Sequence, residues 1–233
     1  MDRKLQAWLI GGFIVVVVLA VVAAAYFSGG AATSSSNFVS TSVPPITSAD
    51  HITGDASSAV SVIEYGDFEC PACGEWEPLM EQLRQTYGNR VEFVFRNFPL
   101  YQIHPFAMIG AQAAEAAALQ GQYWQMHDLL YKDQAQWTAN TTLTPADVVS
   151  QFFNGYAQSL GMNVAEFDVD INSSAVQARV QRDITTGNAA QINHTPTFFV
   201  DLQQIQNPSG LAQFEQVIDA ALASSSAATS TSK

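Results

Sequence analysis

The chain has 233 residues, enough for one sizeable domain with appendages. Nine Lys and Arg stand against 21 Asp and Glu, and the net charge of −12 argues against nucleic acid and against an anionic membrane surface as partners. Cys70 and Cys73 are the only cysteines, which excludes a disulfide-stapled scaffold.

Residues 1–7 are short and basic, with Arg3 and Lys4, and twenty uncharged residues follow from Trp8 to Phe27. That length suits one membrane-spanning helix over 8–27. No basic residue follows until Arg84, so residues 1–7 are expected in the cytoplasm and the rest outside. A cleaved signal peptide is the rival reading, with small residues at Ala23-Ala24-Ala25. Residues 28–58, rich in Ser, Thr, Ala and Gly around Pro44-Pro45, are expected to form a flexible tether. His51 within it reads as a surface residue.

The folded domain is expected over 59–222. Val60-Ser61-Val62-Ile63-Glu64-Tyr65 has the apolar, β-branched character of a buried strand. After Cys70-Pro71-Ala72-Cys73, apolar residues at 76, 79, 80 and 83 have helical spacing, with Gly88 as the stop. Val91 to Arg96 alternates as a second strand, so the three elements predict a parallel βαβ unit. Pro99 and Pro105 bracket a loop. Helices follow over 105–120, 122–133, 145–160, 166–171 and 174–190, the third opened by Thr144-Pro145. Thr197 to Asp201 and Gln203 to Gln206 read as a strand pair, and Leu211, Phe214, Val217, Ile218 and Leu222 as one face of a last helix. The Ser, Ala and Thr tail of 223–233 is expected to be disordered.

The cysteine pair sits where a strand hands over to a helix. Pro71 suits the first helical position, which leaves Cys70 at the N-cap, facing free backbone N–H groups and the positive end of the helix dipole. Both favour the thiolate, so Cys70 is the expected attacking sulfur and Cys73, one turn on, the more buried partner. A disulfide closing so short a loop would constrain the unfolded chain little, so redox chemistry explains it better than stability. Four scattered histidines (His51, His104, His127, His194) and the lack of a second Cys-x-x-Cys give no metal-ligand set. Pro196, opening the apolar run Thr197-Phe198-Phe199-Val200, cannot donate a ladder hydrogen bond and marks a turn or a cis bond.

Four stretches in order carry a resemblance: Glu64 to Cys73, Phe95-Arg96-Asn97-Phe98-Pro99-Leu100, Trp124 to Tyr131, and Thr195 to Val200. Together they resemble the DsbA-like branch of the thioredoxin superfamily, over about residues 50–222. The resemblance implies an α/β thioredoxin fold with a helical subdomain inserted at about 104–190. It implies that Pro196 is the cis-proline facing the cysteines, and that Thr195 pairs with a substrate strand, with Pro71, Ala72 and His194 beside it. It makes Glu64 a buried acid able to shuttle a proton for Cys73. It implies no cofactor, reduced protein substrates and a membrane partner, quinone-linked, that restores the disulfide. Two departures stand out. The dipeptide is Pro-Ala where strongly oxidising members have Pro-His, and His194 replaces a common glycine, which makes it a candidate donor to Cys70.

The expected function is that of a membrane-anchored, extracytoplasmic thiol–disulfide oxidoreductase that donates disulfides. The same site run as a reductase or isomerase, a non-catalytic peptide-binding chaperone, and a metallochaperone are the alternatives.

Overall fold

The computed structural model describes residues 38–231, so the expected segments 1–7 and 8–27 lie outside the described residues. Six strands form one sheet: β1 (Phe38–Ser42), β2 (His51–Gly54), β3 (Ser61–Gly66), β4 (Glu92–Asn97), β5 (Thr197–Val200) and β6 (Gln203–Ile205). Their order is β1-β6-β5-β3-β4-β2. β3 and β4 are parallel, joined by α1 (Pro71–Tyr87), as the βαβ reading requires. β5 runs antiparallel to the other side of β3 and turns into β6, then α9 (Leu211–Thr231).

All six residues of β3 are buried, because both sheet faces are covered. Alternation divides them. Val62 points to the face where Met80 and Leu83 of α1 and Phe214 and Ile218 of α9 pack with Phe198 and Val200. Ile63 and Tyr65 point to the other face, against Val94, Phe98, Ile192 and Phe199.

Between β4 and β5 lies the helical insert: α2 (Ala107–Leu119), α3 (Tyr123–Lys132), α4 (Gln134–Thr138), α5 (Pro145–Val148), α6 (Asn154–Ser159), α7 (Val164–Asp170) and α8 (Ser174–Ala189). Thr144 opens α5 with a capping box to Asp147. The single helix expected over 145–160 is interrupted by a π-helical turn at Val149–Phe153. Trp137, Phe153 and Phe167 fill the core of this subdomain with alanines of α2.

Two expectations are corrected. The tether of 28–58 is not loose throughout: β1 and β2 lie within it and occupy the two edges of the sheet. Short Ser- and Thr-rich strands give no compositional signal, since their order comes from backbone pairing with β6 and β4. Asp50 also ties this stretch down, its carboxylate meeting Arg96 at 2.9 Å in a pair that is almost wholly buried. His51 is likewise not a bare surface residue; it stacks on Tyr123 and meets Glu115 at 2.8 Å. The second correction concerns the tail, because α9 continues to Thr231. The hydroxyls of Ser224 and Ser226 donate to carbonyls one turn back, which lets serines be carried within a helix.

Burial opposes the Asp50 charge, but the hydrogen bond and charge of Arg96, with Thr47 N–H and Arg182, outweigh it and hold its pKa below the ordinary carboxylate value. A depressed acid contributes stability above its unfolded pKa, and that contribution is lost as pH falls through the folded value. Asp50→Ala, which strands the Arg96 cation in the core, is expected to cost about 3–5 kcal/mol in a urea titration near neutral pH. Ser48→Ala, on the same segment but exposed, is expected to stay within about 0.5 kcal/mol.

Candidate active site

β3 ends at Gly66, and a turn of Asp67-Phe68-Glu69 delivers the chain to α1 with Cys70 as its N-cap and Pro71 as its first residue. The Asp67 carbonyl accepts the Cys70 N–H at 3.1 Å, and the Asp67 N–H points to Cys73 Sγ at 3.5 Å. From the insert, Gln134 Nε2 donates to the carbonyls of Phe68 and Cys70 at 2.8 and 2.9 Å. The turn therefore has few ways to move.

β5 supplies the opposite wall. Its register sets Glu64 across from Phe198 and Tyr65 across from Thr197, so the residues just before the strand arrive beside Cys70. The Thr195–Pro196 bond is cis, and the Thr195 carbonyl lies 3.5 Å from Cys70 Sγ. Asn207 Nδ2 donates to the Pro196 carbonyl at 2.7 Å and holds the loop from behind.

Both cysteines are thiols in this structure. A hydrogen bond from the Cys73 thiol, opposed by burial and aided by Thr195 and by the N–H groups of Cys73 and Ala72, lowers the Cys70 pKa to about 5. Cys73 moves the other way, pushed well above the ordinary thiol value by burial, by its shared proton with Cys70, and by Glu64. One sulfur is thus a thiolate at neutral pH and its neighbour a protonated thiol, which is the division of labour that disulfide exchange needs.

Glu64, six residues before Cys70, is buried on the α1 side of β3. Burial, with the charge of Glu77 and against that of Arg84, raises its pKa to about 8. It is a neutral acid near pH 7, able to exchange a proton in the same interior as Cys73. Pro71 and Ala72 are exposed on the rim of the site.

His194 is also exposed, but its Nδ1 lies 3.3 Å from Thr197 Oγ1, and among the described residues it makes no hydrogen bond to Cys70. The histidine that enters the electrostatic surroundings of Cys70 is His104, whose Nδ1 meets Asp67 Oδ2 at 2.6 Å. Neither His104 nor Gln134 stood out in the sequence. A histidine in a proline-bracketed loop gave a faint signal, and a glutamine in a helix gave none. Asp67 and Glu69 do reach the site, but their carboxylates are turned onto backbone N–H groups of Leu100, Glu69 and Phe106.

Behind α1, a cavity of about 370 Å³ is lined by Gly74, Glu77, Pro78, Asp128, Tyr131 and Lys132 among others. Glu77 and Asp128 from this lining, with the buried His127 beside them, have ligand atoms within 4.8 Å of one another, the one group with metal-ligand spacing among the described residues. Arg84 hydrogen-bonds Glu77, and His127 Nδ1 lies 3.0 Å from Asp128 Oδ1, while Glu77 Oε2 and His127 Nε2 are buried without a hydrogen-bond partner among the described residues.

The two shifted groups pull stability in opposite senses. The depressed Cys70 pKa stabilises the reduced protein as pH rises above about 5, whereas raised Glu64 costs stability as pH climbs toward about 8. Glu64→Gln removes only the second effect, so its stability relative to the parent should grow steadily across that range. A constant difference would contradict the assignment. In the reduced chain, iodoacetamide should modify Cys70 along a titration centred near pH 5, with Cys73 unreactive at neutral pH.

With that geometry in place, comparison with known proteins is informative. A family model described as thioredoxin matches residues 47–220. The chain is 37% identical over 163 residues to Na(+)/H(+) antiporter NhaA 1 of Salinispora arenicola, covering 70% of this chain and 23% of that protein. It is 34% identical over 186 residues to NhaA 3 of Salinispora tropica, covering 80% and 27%. It thus spans about a quarter of the length of these curated relatives. Among solved structures, oxidised BdbD from Bacillus subtilis superposes with a TM-score of 0.66 at 20% identity, over 78% of this chain and 97% of that one. Wolbachia pipientis alpha-DsbA1 gives 0.65 at 19%, over 77% and 94%. At such identities the likeness speaks for the fold, and the dithiol speaks for the chemistry. By its family match over residues 47–220 the chain belongs to the thioredoxin family, and its fold is similar to those of BdbD and alpha-DsbA1.

Proposed function

We propose that the protein donates disulfides to protein thiols on the outer side of a membrane, held there by its N-terminal segment and recharged by a membrane partner. What supports the direction is the environment of Cys70, whose hydrogen bonds lower its pKa to about 5. Those bonds stabilise the reduced state of the pair, and a stabilised reduced state makes the disulfide the better oxidant. The donors come from Cys73 and the first turn of α1, so the missing histidine between the cysteines does not leave the sulfur unsupported.

In the cycle, a substrate thiolate attacks Cys70 Sγ and the Cys70–Cys73 bond breaks. Cys73 leaves and takes up a proton, for which Glu64 is the nearby source. A second substrate thiolate then attacks the substrate sulfur of the mixed disulfide and expels Cys70 as a thiolate, a good leaving group because its pKa is low. Two electrons pass from substrate to the cysteine pair and one substrate disulfide forms. The membrane partner, of the quinone-linked kind the resemblance implies, would take those two electrons away.

The uncharged stretch from Trp8 to Phe27 supports the membrane location, with Arg3 and Lys4 before it and no basic residue after it until Arg84. Relatives named as Na(+)/H(+) antiporters support it further, since they join a domain similar to this one to membrane transport. Antiport itself is not proposed, because the match covers only 23–27% of those proteins.

The test mixes the oxidised full chain with a reduced, unfolded protein dithiol. Transfer should leave the substrate oxidised and Cys70 and Cys73 as thiols, Cys70→Ser should abolish it, and Cys73→Ala should accumulate the mixed disulfide. Retention of the protein's own disulfide beside unoxidised substrate would sink the donor direction. Glu64→Gln should slow turnover roughly a hundredfold while leaving the Cys70 thiolate reactive.

A further inference from the structure

Asp67 is the most heavily connected residue of the site. Its main chain touches both cysteines, through the carbonyl to Cys70 N–H and through the N–H to Cys73 Sγ. Its buried carboxylate accepts the N–H of Glu69 at 2.8 Å and of Leu100 at 3.0 Å, then meets His104 Nδ1 at 2.6 Å. The loop after β4 is thereby drawn onto the turn before α1. Two acids, Asp67 and Glu69, thus stand within three residues of a sulfur that must carry a negative charge, and like charges disfavour ionisation. Something must offset them.

We propose that His104, seated on Asp67, is a positioning residue that holds a positive charge beside the active-site turn and so supports the Cys70 thiolate. The ring contacts Asp67 directly, and the charges of Glu69 on the same turn and of Cys70 at the cap of α1 act on it without a direct contact. The hydrogen bond to Asp67, against partial burial and with the charges of Asp67, Cys70 and Glu69, raises the imidazole pKa. Every charged group in that set favours the imidazolium. The coupling is reciprocal, since an imidazolium stabilised by the thiolate stabilises the thiolate by the same free energy. Alanine stands between the cysteines, so a cation reaches them from another element, the loop between Pro99 and Pro105, instead of from the dipeptide.

The inference rests on the redox reading of Cys70 but not on its direction, because a thiolate titration needs no substrate. Two measurements on the full chain test it. The first follows the His104 imidazole by NMR in the oxidised and reduced protein, assigned by comparison with His104→Gln. Its pKa should be higher in the reduced form, where the thiolate faces it, by about half a unit to one unit. The second titrates the Cys70 thiolate by its ultraviolet absorbance. In His104→Gln, which keeps a polar side chain without the charge, the Cys70 pKa should rise by a similar amount. His104→Arg, which restores a cation, should keep it low. An imidazole pKa that is the same in both redox states would overturn the proposal, as would an unchanged Cys70 pKa in a folded His104→Gln. If that variant does not fold, the comparison of redox states in the unmodified protein decides alone, with the imidazole assigned through His104→Arg.

Discussion

The position of β3 between a parallel and an antiparallel neighbour is the constraint from which the site follows. Pairing with β4 fixes the crossover through α1, so the end of β3 must feed the helix N-terminus. Pairing with β5 in the opposite sense brings the start of that strand, not its end, to the same place. A cap residue and the Thr195–Pro196 loop, 125 residues apart in sequence, meet at 3.5 Å for that reason. A slip of one residue in β5 would turn Phe198 and Val200 out of the core they share with Val62, so the buried pattern locks the register.

The electrostatics of the site are a matter of where burial is left uncompensated. Around Cys70, burial is outweighed by hydrogen bonds, and the sulfur ionises readily. Around Cys73 and Glu64 it is not, and both keep their protons near neutral pH. The contrast exists over one helical turn and one strand. Asp67 and Glu69 are tolerated so near a thiolate because their carboxylates are spent on backbone N–H groups and on His104.

Much of this was legible in the sequence, and the omissions have physical causes. The cysteine pair, its helix cap, Pro196 and the β-α-β and β-β-α halves all rest on local patterns, and those patterns survive folding. β1 and β2 were hidden because edge strands of Ser, Thr and Gly owe their order to partners far along the chain. The ion pair of Asp50 with Arg96 spans 46 residues and leaves no periodic trace. His104 and Gln134 reach the active-site turn from the loop after β4 and from the insert, so neither spacing nor composition could point to them. His194 is the converse case. Adjacency in sequence to Thr195 suggested a role beside the sulfur, while the turn into β5 sends its ring to Thr197.

The most direct test of the central claim, that the site stabilises its own reduced state, is the reduction potential of the Cys70–Cys73 pair in the full chain, equilibrated with glutathione. The structure predicts a value toward the oxidising end of the superfamily's span, nearer about −120 mV than about −270 mV. A value at the reducing end would contradict the account, because it would mean the Cys70 thiolate gains nothing from Cys73, Thr195 and the helix that caps it.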